Sequence, residues 1–248
     1  MSALRFGLRL LALLAALVAG LALHGTWRLF RARSPWPRRF LGWVSRIVGA
    51  RMRLEGAPLR DRVVFVSNHL SWIDIPLLAG VTGTAFVSKA EVKRTPVVGF
   101  LADLNRTVYV AREDRLGVAG QIARLREALD EVPAVTLFPE GTTGDGRTLK
   151  SFKASLLAML DPPPPGVRVQ PVRIDYGDAP ELAWVGDEPG ARHARRVLSR
   201  PGRFTATLHF LEPFDPAAIG NRKAIAAEAR RRIEAAGSGS GGVLDTSP

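Results

Sequence analysis

The chain has no cysteine among its 248 residues. Disulfides, thiolate nucleophiles and cysteine metal sites are therefore excluded, although the redox compartment is left open. Histidine is scarce. Besides His69 there are only His24, His193 and His209, and none stands at ligand spacing from another, so no metal is expected. Ser67 and Ser71 lie in no nucleophile elbow. No repeat of 20–50 residues is visible, which sets solenoids and propellers aside. Acid is missing from almost the whole first quarter. Residues 1–60 hold eleven Arg against the single acid Glu55, giving +10 of the total net charge of +12.

That charge lies beside an apolar run and among Trp27, Trp36 and Trp43. Arginine interleaved with tryptophan suits an anionic lipid surface, where each cation gains roughly 1 kcal/mol. Nucleic acid is the weaker reading, because the rest of the chain is close to neutral. A merely solubilising basic face is the plain alternative. Leu10–Leu23 reads LLALLAALVAGLAL, fourteen residues without a polar side chain, preceded by Arg5 and Arg9. A spanning helix needs about 20 residues, so the run is short for that purpose. A secretory signal competes, since AGLA before Leu23 loosely resembles a cleavage site. Trp27, Arg28, Phe30 and Arg31 follow at once, which favours an uncleaved anchor, either a short span or a re-entrant helix. The arginines from Arg28 to Arg39 outnumber those before the run. The positive-inside bias then places the catalytic part on the cytoplasmic side of the inner membrane.

Along the rest of the chain, apolar β-branched runs alternate with helical spacing. Strands are expected at Arg51–Leu54, Val63–Val66, Ala85–Ser88, Thr107–Val110, Ala134–Phe138, Val167–Ile174 and Thr205–Leu211. Helices are expected from residue 41 up to the Arg51–Leu54 strand, within an amphipathic stretch from Phe40 to Val48, and after Ser67-Asn68, both good N-cap types. Others are expected over Gly117–Leu129, over Phe152–Leu160 and over Ala217–Ala235. This order predicts an α/β fold with a mixed, mostly parallel central sheet flanked by helices, behind an N-terminal hydrophobic anchoring helix. Residues 1–50 form the membrane anchor and basic, aromatic interfacial region, and residues 51–236 the catalytic domain. Residues 237–248, rich in Gly and Ser, form a disordered tail.

The chemistry starts at Asn68-His69-Leu70-Ser71-Trp72-Ile73-Asp74. On one continuous helix a spacing of five puts His69 and Asp74 on different faces. They meet only if His69 lies in a turn and Asp74 in the first helical turn. Asp74 would then fix the imidazole tautomer and leave the other nitrogen free as a general base, with the nucleophile supplied by the substrate's own hydroxyl. Taken alone, the spacing is equally compatible with a core histidine near an aspartate. The second element, Phe138-Pro139-Glu140-Gly141-Thr142-Thr143-Gly144, follows a strand. Pro and Gly make a tight turn there, expected to present the Glu140 carboxylate and backbone N–H groups to solvent, where they could hold hydroxyls or an anion.

These motifs together resemble the 1-acyl-glycerol-3-phosphate acyltransferase family, over roughly residues 50–215. NHLSWID fits the NHxSxxD block. Lys89, Glu91, Pro96, Gly99, Val108, Val110 and Arg112 resemble the second block. FPEGT followed by Phe152-Lys153 is similar to the third, and Val169-Gln170-Pro171-Val172 to the fourth. The resemblance implies a membrane-bound acyltransferase. His69 as base and Asp74 as its orienting carboxylate would act on a lysolipid hydroxyl, with a thioester of acyl carrier protein or coenzyme A as co-substrate and no cofactor. It implies acceptor binding by Arg112, Glu140, Gly141 and Thr142, with Asn68, Ser71 and Lys89 beside them and Arg106 and Lys153 as weaker candidates. Membrane lipids are the other implied partners.

Two positions depart from the family pattern. Thr143 stands where an arginine is usual, and Ala111 where an aspartate is usual. Guanidinium grips phosphate bidentately and threonine cannot. FPEGTTGDG and Trp184-Val185-Gly186-Asp187 also resemble the lyso-ornithine lipid acyltransferases, whose acceptor has no phosphate, although a solvent loop accounts equally well for the second segment. Lysophosphatidate and lyso-ornithine lipid are thus the two acceptors, with a slight lean to the first as the family's commonest. A non-catalytic lipid-binding membrane protein is the alternative of another class. Retention of both His69 and Asp74 argues against it.

Overall fold

The computed structural model describes residues 1–30, 34–89, 93–94, 96–110, 123, 126–127, 129, 132–177 and 179–238. Its strands are β1 (Ala50–Glu55), β2 (Val63–Ser67), β3 (Ala85–Lys89), β4 (Val108–Val110), β5 (Ala134–Leu137), β6 (Arg168–Asp175) and β7 (Phe204–Phe210). β2 reads VVFVS and is buried along its whole length, as a strand covered on both faces must be. It lies in the middle of a seven-stranded sheet of order β1-β7-β6-β2-β5-β3-β4. β6, β2, β5, β3 and β4 run parallel, while β7 is antiparallel to β6 and parallel to β1. The sheet is mixed and mostly parallel, as the alternation of elements predicts. The carboxyl ends of five strands consequently open on one edge, where such sheets place their chemistry.

Helices cover both faces: α1 (Ser2–Arg28), α2 (Trp36–Ile47), α3 (Asp74–Thr82), α4 (Pro96–Leu104), α5 (Gly190–Ser199), α6 (Pro216–Ile219) and α7 (Arg222–Ser238). The period of two along β2 divides the core. Val63 and Phe65 join Ile73, Leu77, Leu78, Val197 and Leu208 on one side. Val64 and Val66 join Leu157, Met159, Leu160, Ile225 and Ala229 on the other. α2 crosses α3 where two glycines meet. A Cβ on Gly80 would fall 2.9 Å from the Cα of Gly42, so position 80 has no room for a side chain. α3 begins at Asp74, and this close crossing sets where that residue stands.

Several elements differ from the expectation. The segment after FPEGT is a 3₁₀ helix, Ala154–Leu160, rather than an α-helix. The C-terminal helix is broken at Gly220 into α6 and α7. α4 and α5 have no counterpart in the sequence reading, and the expected helix over Gly117–Leu129 lies largely outside the described residues.

α1 is 27 residues long, because flanking residues extend the fourteen-residue apolar run into a helix of about 40 Å. That is long enough to cross a membrane by length and composition. One face is fastened to α5 and the turn that follows it. Arg5 Nε donates to the carbonyl of Ser199 at 3.1 Å, and Arg9 donates to those of Val197 and Gly202, each at 3.0 Å. Two of these carbonyls are in the last turn of α5, where a cation also meets the negative end of the helix dipole. Farther along, Gly20 packs on Phe40 of α2. The opposite face exposes Leu4, Leu8, Leu11 and Val18, an apolar stripe at helical spacing.

Candidate active site

β2 ends at Ser67, and the chain then turns through residues 68–73 before α3 begins. Ser67 and Asn68 do not cap that helix. Asn68 instead acts as an extra peptide unit between strands. Its Nδ2 donates to the Ile174 carbonyl at 2.9 Å and its Oδ1 accepts the Ile174 N–H at 2.7 Å. Ser67 and Ser71 are fully buried. The Ser67 hydroxyl donates to the Asn68 carbonyl, and that of Ser71 accepts the Ile73 N–H. Neither is placed to attack a substrate.

Asp74 is the first residue of α3 and is also fully buried. Its Oδ2 accepts the N–H groups of Leu70 at 2.6 Å and Ser71 at 3.0 Å and lies 2.8 Å from His69 Nδ1. An oxygen that already accepts two backbone N–H bonds has no proton to give, so Nδ1 is the donor. Nε2 then keeps its lone pair. The spacing of five works because residues 69–73 are turn and only Asp74 is helical. The His69 ring, 18% exposed, stacks on Phe138 at 4.1 Å between centroids. It lines an open cleft together with Glu140, Gly144, Gly146, Thr148 and Arg173.

Sequence reasoning missed Tyr176, which sits just beyond β6. Its hydroxyl donates to Asp74 Oδ1 at 2.5 Å. Burial and the negative charge of Asp74 push the phenol well above its usual range, so it stays a donor at neutral pH.

Glu140 is the main correction. The expected solvent-facing carboxylate is only 3% exposed. Oε1 accepts the His69 N–H at 2.8 Å and Oε2 the Lys150 N–H at 3.0 Å. Burial raises its pKa, and the two N–H bonds only partly offset that. Glu140 therefore fastens the FPEGT turn to the turn carrying His69. Gly144 adds a bond from its N–H to the His69 carbonyl at 2.7 Å. Gly141 holds φ at +70°, which glycine adopts without strain. Thr142 is exposed. A glutamine at position 140 accepts one N–H and turns its own NH₂ toward the other. Glu140→Gln is therefore expected to cost about 1–3 kcal/mol of stability, measured by denaturant titration, and to lower turnover with it.

Thr143 does not face the cleft as a free hydroxyl. Its Oγ1 donates to the Trp184 carbonyl at 2.5 Å, and the Trp184 N–H donates to the Leu70 carbonyl at 2.8 Å. The Trp184-Val185-Gly186-Asp187 segment is thereby joined to both motif loops. Behind it, His193 is fully buried and stacks on Trp184. It accepts Trp72 Nε1–H at 3.0 Å, so its own Nε2–H donates to the Leu182 carbonyl at 3.1 Å. Burial lowers its pKa and keeps it neutral in this brace. Lys89 ends β3 at the carboxyl edge, paired in register with Val110. Arg112 lies outside the described residues.

Comparison with known proteins places the chain in a family. A model of the acyltransferase family matches residues 51–175. A lyso-ornithine lipid O-acyltransferase of Brucella abortus is 35% identical over 92% of this chain and 93% of its own length. One from Pseudomonas aeruginosa is 33% identical over 95% of each. A 1-acyl-sn-glycerol-3-phosphate acyltransferase of Neisseria gonorrhoeae is 32% identical over 54% of this chain and 48% of that protein. The crystal structure of the 1-acyl-sn-glycerophosphate acyltransferase PlsC from Thermotoga maritima shares the fold, with a TM-score of 0.65 and 21% identity over 98% of this chain and 99% of that one. The chain belongs to the acyltransferase family, among the enzymes that acylate lysolipids.

Proposed function

We propose that the protein transfers a fatty acyl group from a thioester, acyl carrier protein or coenzyme A, to the free hydroxyl of lyso-ornithine lipid. His69 Nε2 takes the hydroxyl proton as the oxygen attacks the thioester carbonyl. The tetrahedral intermediate collapses to the ester, and the departing thiolate recovers the proton from His69. Asp74 holds the ring and meets the transient imidazolium with a negative charge. The thioester brings its own activation, so the reaction calls for neither metal nor cofactor. The observation that carries this reading is the His69–Asp74 pair with Nε2 left toward the cleft.

The choice of acceptor rests on Thr143. Its hydroxyl is bonded to Trp184, so the position after FPEGT offers no guanidinium for a phosphate. The Brucella and Pseudomonas sequences alike over nearly their whole length carry the lyso-ornithine name, while the Neisseria lysophosphatidate sequence matches over about half. Lysophosphatidate, the acceptor favoured by sequence alone, is kept as the second reading because Arg112 fits the family's second block. Purified protein given both acceptors and acyl carrier protein thioester is expected to consume lyso-ornithine lipid first. Preferential loss of lysophosphatidate reverses the assignment.

The docked face of α1 and its exposed leucine stripe support a helix lying in the cytoplasmic leaflet of the inner membrane beside the catalytic domain.

A further inference from the structure

Arg173 is a basic residue lining the cleft beside His69, and the catalytic account leaves it unused. It sits on β6 with Val169, on the sheet face that packs α7. A long cationic side chain at such a place ordinarily extends to water. Here the last turn of α7 closes over it, since a Cβ on Gly237 would fall 2.4 Å from Arg173 Nη1. Its Nε is buried and has no hydrogen-bond partner among the described residues.

The nearby acids among the described residues are already engaged. Glu140 gives both oxygens to backbone N–H groups. Glu55 takes Arg53 at 3.1 Å and His209, the residue opposite Arg173 on β7, at 2.8 Å. Asp175 accepts the Gly177 N–H. A guanidinium that lines a cleft and makes no ion pair among the described residues is arranged for an anion that arrives with the substrate.

We propose that Arg173 binds the anionic group of the acceptor, a carboxylate or a phosphate, while the acceptor's hydroxyl lies at His69. The cation that Thr143 fails to supply from the FPEGT loop then comes from β6, on the other side of the cleft. This rests on the reading of the cleft as a lysolipid acyltransferase site. Both candidate lysolipids carry an oxyanion a few bonds from the reacting hydroxyl, so both fit one base and one guanidinium.

The test compares acceptors with and without the anionic group in the full-length enzyme: lyso-ornithine lipid with its methyl ester, and lysophosphatidate with monoacylglycerol. In the unaltered enzyme, removing the anion is expected to raise the acceptor's KM about 10- to 100-fold. The pair that shows the effect identifies the anion as carboxylate or phosphate. Arg173→Gln should raise KM for the anion-bearing acceptor by a similar factor, with the thioester KM unchanged and kcat nearly so. It should leave the anion-free acceptor no worse than before. Arg173→Lys should recover part of the loss. Equal damage to acceptors with and without the anion, or an unchanged KM, overturns the proposal. So does an anion-free acceptor that serves the unaltered enzyme as well as its anionic parent, a comparison that needs no variant to fold. If the unaltered enzyme acylates neither lysolipid, the underlying reading of the site fails, and the role of Arg173 falls with it.

Discussion

Replacing His69 with alanine lowers acyl transfer by about 10²–10⁴-fold, the usual worth of a positioned general base, and leaves the fold intact. The fold survives because the backbone of His69, not its side chain, does the anchoring. The His69 N–H meets Glu140, and the His69 carbonyl meets Gly144. Asp74 keeps three other donors when the imidazole is gone. The lost ring contact with Phe138 is partly open to solvent already. Steady-state turnover alongside a thermal melt separates the two effects. A His69→Ala enzyme that is unfolded, or fully active, contradicts the roles assigned here.

Asp74→Ala has the larger structural effect. It strands the N–H groups of Leu70 and Ser71 and the Tyr176 hydroxyl, all at a fully buried carboxylate. Each orphaned donor costs about 1–3 kcal/mol, less what entering water returns, so a loss of about 3–5 kcal/mol is expected, with activity abolished. For a chain of this size that lowers Tm by roughly 10 °C. Asp74→Asn is milder for the fold. Its amide oxygen can take the place of Oδ2, and its NH₂ can face Tyr176, whose hydroxyl can rotate to accept. Its turnover should still fall steeply, because no charge is left to meet the imidazolium. Differential scanning calorimetry on both variants distinguishes the carboxylate's structural role from its catalytic one.

Much of the sheet was legible in the sequence, because β-branched runs such as VVFV and AVTL announce buried strands. The dyad was legible as a motif, and the need for a turn between its members followed from helix geometry. What escaped depended on distant chain. Tyr176 reaches Asp74 across 102 residues, and no local pattern marks it. Glu140 reads as exposed because glutamate in a Pro-Gly turn nearly always is. Its partners are backbone donors, 71 residues earlier in one case, and backbone donors leave no trace in side-chain identity. α5 was missed because its buried face is His193, Val197 and Leu198, so a histidine stands where the apolar period needs an aliphatic side chain. The fourteen-residue run was read correctly as apolar. Its docking by Arg5 and Arg9 was not, since those arginines look like ordinary flanking charge.

The central claim is that His69 activates an external hydroxyl and that no residue of the chain carries the acyl group. Rapid quench with radiolabelled acyl thioester tests it most directly, run with and without lysolipid. The expected result is no label on the denatured protein at any time, and label passing straight to lipid when the acceptor is present. A labelled protein that forms without acceptor, and is discharged by adding it, would contradict the account.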